Sequence, residues 1–558
     1  MKKPKATLFG ATVTYLRSFQ TAPSFLSLWL PLCLVAINLL LKFRHLGVQS
    51  LAGDEVFSAY VSQFDVTTIV KYLSQGNNPP LFEIMLHYWI KVFGIGASSV
   101  RVLPCLFSGL TVWFIYKVGT DFFNFKTGII SAILYTLSNY HMYFAHETRV
   151  YSLFLLLTCI SFYAYMHLIK SPSLTFRIIH ALTLILLPYA HYLAFFVLFI
   201  QLFLVLTLKE IRTKILKQYL INLAIALILF IPFIFIFITR FCDSTIHGTW
   251  LHPVTSLGQL HDVLKYLTNN SVTNYLVFMV VFWLVVQRFI NETISSGLIK
   301  YLIAIISIFF LFYGISIMGP MPYFWEFTSK PSAMISYLFF MVAMIIFSLS
   351  SKTISVYTKV ILVWFFVPLL VMFVASFWVP MFLDRYLIYI TGGFYLLIGI
   401  GVSYLEETKP LKIGLLLILL LCITFETNVD KKRHVAEVVQ KVNELRTSNT
   451  IVYICPDNFD YNFAYYYNRH YFKDIDDPDA KTKLRKHLAS QNIYPISNTR
   501  QLDTAMLKKA DKIIYIDAAA DFVYPGNGIK AKLDSILNLK QQYEIPEIYR
   551  VIEYINHK

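Results

Sequence analysis

Residues 146–170 read HETRVYSLFLLLTCISFYAYMHLIK, and the polarity of this stretch changes only once. A polar head, His146-Glu147-Thr148-Arg149, is followed from Val150 to Ile169 by twenty residues without an Asp, Glu, Lys or Arg. A bilayer core takes about 20 apolar residues in helical form, so the run is a membrane span with a polar turn at its head. The pattern recurs through the first 430 residues. The candidate spans are 25–45, 99–118, 127–145, 150–169, 176–190, 191–208, 218–240, 273–288, 300–319, 332–350, 357–378, 386–405 and 411–427, thirteen in all, with a break expected near Pro188. The first follows Lys2, Lys3, Lys5 and Arg17 and reads as a signal anchor, being too long for a signal-peptide core and lacking a small-residue cleavage site.

Composition agrees. Of 558 residues, 57% are hydrophobic, 17% aromatic and 14% charged, against about 45–50% apolar and roughly 25% charged in soluble domains. This excludes an ordinary soluble enzyme and a disordered chain. The net charge of +16 suggests no nucleic-acid partner, because the basic residues follow membrane orientation. With the N-terminus in the cytoplasm, alternation places 18 Lys and Arg on the cytoplasmic side of the membrane half and 10 on the other. An odd span count then puts residues 430–558 outside the cytoplasm, and that region holds 20 basic and 17 acidic residues. The six cysteines form no CxxC pair, and neither a disulfide framework nor a zinc site is readable.

Two domains are expected: a membrane domain over 1–429 and a small soluble α/β domain over 430–558. In the second, helices are expected over 435–447, 499–510 and 528–543, and strands over 451–455, 512–518 and 548–555, in a mostly parallel sheet. It has neither a GxGxxG nor a P-loop, so no nucleotide site is evident. Asp517 reads as a strand-end turn residue.

Acids, arginines and histidines gather in the external turns, where ionisable groups near a bilayer tend to mark function. Asp54-Glu55 offers a general base whose pKa an apolar setting would raise. Alternatively, Asp54 caps a helix over 55–64 with Glu55 in its first turn. After Asn78-Pro79-Pro80-Leu81, the stretch Phe82–Phe93 with Glu83, His87, Tyr88 and Trp89 reads as a helix lying on the membrane surface. Arg101 opens the second span, as a headgroup anchor or a phosphate ligand. His146, Glu147, Arg149 and Tyr151 share one hairpin, His191 lies at another turn, and Asp384-Arg385-Tyr386 begins a late span. Together they suggest one outward pocket suited to a phosphate-bearing lipid.

NNPPLFEIMLHYWIKVFG (77–94) followed by SSVRVLPCLFSGLTVWFIYKVG (98–119) resembles the polyprenyl-phosphate-sugar glycosyltransferases of the GT-C fold. More narrowly, it is similar to the dolichyl-phosphate-mannose–protein mannosyltransferases and the bacterial lipid A aminoarabinose transferase. GDEVFSAY (53–60), AHETRVYSLFLLL (145–157), HYLAFFVLFIQ (191–201) and MFLDRYLIYI (381–390) resemble further family segments; Asn78 departs from the His or Lys often found before the two prolines. The resemblance implies a polytopic GT-C protein of the bacterial inner membrane. Its sugar donor would be linked through phosphate to a polyprenol, and its acceptor would be a hydroxyl of a protein, lipid or glycan. It implies Asp54 as base with Glu55 beside it, and Arg101, Arg149, Tyr151, Arg385 and Tyr386 on the donor phosphate. Glu147, His146, His87 and His191 would position sugar or acceptor. Direct displacement would invert the anomeric carbon. A divalent metal, if used, would fall to Glu55 and Glu147, and no nucleotide cofactor is implied. The competing reading is a lipid-linked oligosaccharide flippase or polymerase, which predicts internal repeats and midplane charges; no repeat is seen. A non-catalytic scaffold would leave the external acids and arginines without a purpose.

Overall fold

The computed structural model describes residues 24–76, 78–246, 253–256, 258–270, 273–274, 277, 342, 345–346, 348–351, 354–403, 409–431, 433–472, 479–546 and 548–556. Five helical segments among them are long and apolar enough to cross a membrane: Ala97–Phe122, Tyr151–Lys170, Lys209–Asp243, Val356–Ala375 and Asp384–Ser403. Shorter apolar helices cover Trp29–Lys42, Leu174–Ala190 and Ala194–Thr207. The expected span 300–319, and most of 273–288 and 332–350, lie outside the described residues.

Two expected boundaries move. The 127–145 span is two helices, Phe125–Thr136 and Asn139–Ala145, because Asn139 turns its side chain to the backbone of Thr424 and Glu426. The break expected near Pro188 falls at His191, which is extended at φ −152°, ψ 137°; Pro188 is accommodated within the helix. Helices 97–122 and 125–136 pack at glycines. A Cβ on Gly119 would lie 2.4 Å from the Gly128 Cα, so small residues let these backbones touch.

The C-terminal region holds a five-stranded sheet in the order β2-β1-β3-β5-β4: β1 Thr450–Cys455, β2 Ile493–Pro495, β3 Lys512–Ala518, β4 Asn538–Ile545 and β5 Tyr549–Ile555. β1 is parallel to β2 and β3, whereas β5 is antiparallel to β3 and β4. The sheet is therefore mixed, not mostly parallel. Period-two alternation divides β1: Val452 and Ile454 join the core shared with the membrane half, and Ile451, Tyr453 and Cys455 line a second core on the other face. The helix expected over 528–543 stops at Ile536, and Asn538–Ile545 pairs as an exposed edge strand. Pairing with β5 overrides the helical propensity of this Lys- and Gln-rich segment. The helix expected over 499–510 is interrupted by Asp503, which caps Thr504–Lys509.

The C-terminal region grips the loop after the first helix. Gln49 donates to Asn428 Oδ1 at 2.7 Å, the Leu51 N–H to Tyr466 OH at 2.5 Å, and the Gly53 N–H to Asn462 Oδ1 at 2.7 Å. That loop and the C-terminal region are thus in direct contact.

Candidate active site

Asp54 is the first residue of the helix Asp54–Val61, not its cap. Gly53 is the N-cap, at φ 56° and ψ −125°, and no side chain caps this helix. A positive φ favours glycine, which frees Asp54 from backbone duty. The Asp54 side chain is 52% exposed; its Oδ2 lies 3.4 Å from Arg385 Nη1 and 4.0 Å from Arg149 Nη2. The raised pKa expected from the sequence is reversed. Arg149 holds the carboxyl below its usual value against the upward pull of burial, with Arg385 and Arg433 adding to it.

Arg149 is buried. Its Nη1 donates to Ser58 Oγ at 2.8 Å and lies 3.9 Å from Glu83 Oε1. Ser58 in turn donates to Glu83 at 2.8 Å. Burial raises the Glu83 carboxyl above its usual range, opposed by Arg149 and Ser58. Arg385 is 25% exposed and lies over the Tyr386 ring at 5.6 Å. Tyr151 is buried behind, with Phe144 on one side and His191 on the other. The turns at 146–151 and 384–386 are far apart in sequence, yet both arginines converge on one half-exposed carboxylate.

The neighbouring acid is wholly different. Glu55 is buried and bound by Arg101 through both oxygens, Nε to Oε1 at 3.0 Å and Nη2 to Oε2 at 2.7 Å. It also accepts from the Thr148 N–H at 2.9 Å and from Arg433 Nη1 at 2.9 Å. Burial pulls its pKa up, but Arg101, Lys431 and Arg433 outweigh that and hold it far below the usual carboxylate range. The remaining N–H groups of Arg101 go to the carbonyls of Leu46, Gln49 and Ser50 at 2.8, 2.7 and 3.1 Å. With all five donors spent and 1% of the residue exposed, Arg101 has none to offer a phosphate. In this structure its contacts hold the loop before Asp54.

Glu147 is also taken. Lys431 Nζ lies 2.6 Å and Arg433 Nη1 3.2 Å from its Oε2. Glu55 and Glu147, the two candidate metal ligands, are thus already neutralised by cations. Among the described residues no group of three His, Cys, Asp or Glu is placed to hold a metal ion. The donor set does not fit a divalent cation.

The histidines are structural in their contacts. His146 Nε2 meets the Lys42 carbonyl at 2.7 Å, and burial pushes its pKa down to about 4. His87 Nδ1 meets the Ser62 carbonyl at 3.0 Å. His191 stacks on Phe154 with ring centroids 5.0 Å apart and accepts the Leu193 N–H. Burial, with Arg149 and Arg385 nearby, pushes His191 down to about 3. Of these, His191 alone borders the Arg149–Arg385 cluster, and its Nε2 is buried without a hydrogen-bond partner.

Sequence reasoning missed Lys431 and Arg433. They stand in the basic run Lys431-Lys432-Arg433 at the start of the C-terminal region, which the sequence reading counts only toward that region's 20 basic residues. It names Glu83 only within the helix on the membrane surface and does not single out Ser58.

An anionic headgroup seated on Arg149 and Arg385 would lie within a side chain's length of the half-exposed Asp54 carboxylate. Residues 77–236 match the dolichyl-phosphate-mannose-protein mannosyltransferase family. The stretch contains Arg101, Glu147 and Arg149. No curated protein sequence matches the chain. Among solved structures, ArnT from Cupriavidus metallidurans in the apo state is 14% identical, with 96% of this chain and 99% of that one covered and a TM-score of 0.44. The same protein bound to undecaprenyl phosphate is 13% identical over 95% and 98%, with a TM-score of 0.43. The oligosaccharyltransferase AglB from Archaeoglobus fulgidus, in complex with an inhibitory peptide and a dolichol-phosphate, is 11% identical over 96% and 75%, with a TM-score of 0.45. The family match spans part of the membrane half and makes that part similar to mannosyltransferases named for a dolichyl-phosphate-mannose donor. The five long apolar helices make the chain an integral-membrane protein.

Proposed function

We propose that the protein moves a sugar from a polyprenyl phosphate to an acceptor hydroxyl of a glycan, lipid or protein, on the extracytoplasmic face of a bacterial inner membrane and with inversion. The observation that carries this is the half-exposed Asp54 carboxylate with Arg385 3.4 Å and Arg149 4.0 Å away. The acceptor oxygen attacks the anomeric carbon, and its proton passes to Asp54. The bond from that carbon to the phosphate oxygen breaks, and its electron pair leaves with the polyprenyl phosphate. Arg149 and Arg385 neutralise the leaving charge, each able to fork onto two phosphate oxygens. One displacement inverts the carbon. The low resting pKa of Asp54 fits this order of events. A donor phosphate takes up the field of the same two arginines, so the carboxylate gains basicity as the donor arrives.

The experiment is release of polyprenyl phosphate by the purified protein from a labelled polyprenyl-phosphate sugar, with acceptor present. Release that depends on Asp54 supports the reading, and none over a panel of donor sugars overturns it. In the same assay Arg149→Lys and Arg385→Lys keep the charge but lose the planar fork. Each is expected to raise the donor KM about tenfold at normal expression. Unchanged donor KM in both would return these arginines to headgroup anchors.

Two observations support the extracytoplasmic placement. Basic residues are biased 18 to 10 toward the other side, and Asn462 and Tyr466 hold the loop that leads to Asp54. A reporter active only in the cytoplasm, fused after Lys558, is expected to stay silent. Strong activity would reverse the orientation.

A further inference from the structure

We propose that the strap joining the two halves, residues 428–431 and 433–436, is a working part of the donor site, and that Lys431 and Arg433 are positioning residues which set the charge beneath Asp54. The inference rests on the donor-site reading of Asp54, Arg149 and Arg385.

The membrane half alone leaves its buried acids unbalanced. Glu55 and Glu147 are 0% and 4% exposed, and Arg101 contacts only Glu55 among them. That cluster carries one net negative charge. Two described cations of the strap, Lys431 and Arg433, reach that cluster. Lys431 Nζ reaches Glu147 at 2.6 Å and the His146 carbonyl at 2.8 Å. Arg433 bridges Glu55 at 2.9 Å and Glu147 at 3.2 Å, and donates to Tyr143 OH at 3.3 Å. Counted over Glu55, Glu147, Arg101, Lys431 and Arg433, the cluster carries one net positive charge. A buried carboxylate without its cation is strongly destabilising, so the acids hold the strap as firmly as the strap serves them.

The backbone is registered at the same place. The Lys431 N–H donates to Gln49 Oε1 at 2.7 Å, the Gln49 amide to the Val429 carbonyl at 2.8 Å, and the Ala436 N–H to Ser50 Oγ at 3.0 Å. Gln49 and Ser50 are the residues whose carbonyls Arg101 holds. Asn462 then takes the N–H of Gly53, next to Asp54. The C-terminal region therefore fixes the loop from Gln49 to Gly53 and, through Arg433, makes the ground below an anionic donor attractive. A single unit charge at this range in a partly buried site is worth about a factor of ten in affinity.

The groups facing Asp54 are Glu55 on its own helix, Arg149 and Tyr151 from the 146–151 turn, Arg385, Arg433 from the strap, and Glu83 from the helix 81–93. Removing Arg433 takes away one of the three cations that hold the Asp54 carboxyl low. Its pKa then rises, and the acid limb of the kcat/KM profile moves to higher pH. A mere clamp would not move that limb.

The test uses the full-length protein in detergent, with polyprenyl phosphate as the binding probe and a thermal melt alongside. Arg433→Gln is expected to weaken binding about tenfold and to shift the acid limb upward. Arg433→Lys, which keeps the charge, is expected to restore most of the affinity. The double variant Arg433→Gln, Glu147→Gln removes one charge of each sign, so the cluster stays net positive and binding is expected to recover. If Arg433→Gln alone melts too low to measure, the double variant decides: recovery supports the charge-setting role, and binding still about tenfold weak overturns it. Wild-type affinity and an unshifted limb in Arg433→Gln overturn it as well. Should the wild type bind no polyprenyl phosphate, the donor-site reading itself falls and takes this inference with it. A strap variant that binds like a competent wild type sinks this inference alone.

Discussion

Asp54→Asn is expected to cut sugar transfer by about 10²–10⁴-fold, the usual loss for a missing general base, while leaving the melting temperature within a degree or two of wild type. The stability half of this expectation comes from the N-terminus of the helix 54–61. Had Asp54 been the cap, its replacement would have been read through capping energetics. Gly53 occupies that position, and the Asp54 side chain accepts no backbone N–H there. What the carboxylate does touch is Arg385 at 3.4 Å and Arg149 at 4.0 Å, from a side chain that is 52% exposed. Exposed pairs at such distances add little to stability. Asn keeps the size and loses the negative charge and the proton-accepting oxygen. Donor binding should hold or tighten slightly, because two arginines lose a competitor for the phosphate. The expected pattern is therefore a collapse of kcat with donor affinity preserved. Transfer at near wild-type rate with a normal melt would remove Asp54 from the chemistry. Glu55 and Glu147 are poor successors, since both are buried and bound to cations. Glu83, whose carboxyl burial raises, would be the next base to test.

Much of this was legible before any coordinates. Runs such as 150–169 announce spans because the bilayer leaves a helix no other way to satisfy its backbone. The Asp54-Glu55, Glu147-Arg149 and Asp384-Arg385 turns were visible as charged groups at helix ends. What the pattern cannot carry is partnership. Adjacent in sequence, Asp54 and Glu55 point to opposite fates on one turn of helix, one half-exposed between arginines and one sealed beneath Arg101. Nothing local distinguishes them, because the partners arrive from residues 101, 149, 385 and 433. Arg101 and Arg149 likewise look alike as arginines near the heads of spans, and only the carbonyls of Leu46, Gln49 and Ser50 separate a clamp from a candidate ligand. The edge strand Asn538–Ile545 was hidden for the same reason: its pairing with β5 is tertiary, and its own residues favour a helix.

Arg101→Met is expected to be the most destabilising single change in the region, by about 3–5 kcal/mol, the range for breaking a buried ion pair by removing one partner. The substitution fills much of the aliphatic volume but leaves Glu55, among the described residues, with Arg433 as its one cation in direct contact. It also strips the carbonyls of Leu46, Gln49 and Ser50 of their donor at once. A buried acceptor left without a partner costs about 1–3 kcal/mol, so the loop before Asp54 should open even where the helices stay packed. Two comparisons separate this from a ligand role. Arg101→Lys keeps the charge beside Glu55 but, with three donors on a flexible stem, cannot serve two carboxylate oxygens and three carbonyls together. It should recover only part of the lost melting temperature. Adding Glu55→Gln to Arg101→Met removes the stranded charge and should recover another part, a coupling that a donor ligand would not show. The measurement is the thermal melt of each variant with polyprenyl phosphate absent, since a clamp matters before any ligand is present. If Arg101→Met melts like the wild type and loses only donor affinity, the guanidinium belongs to the phosphate after all, and the five contacts it makes here are not what holds the loop.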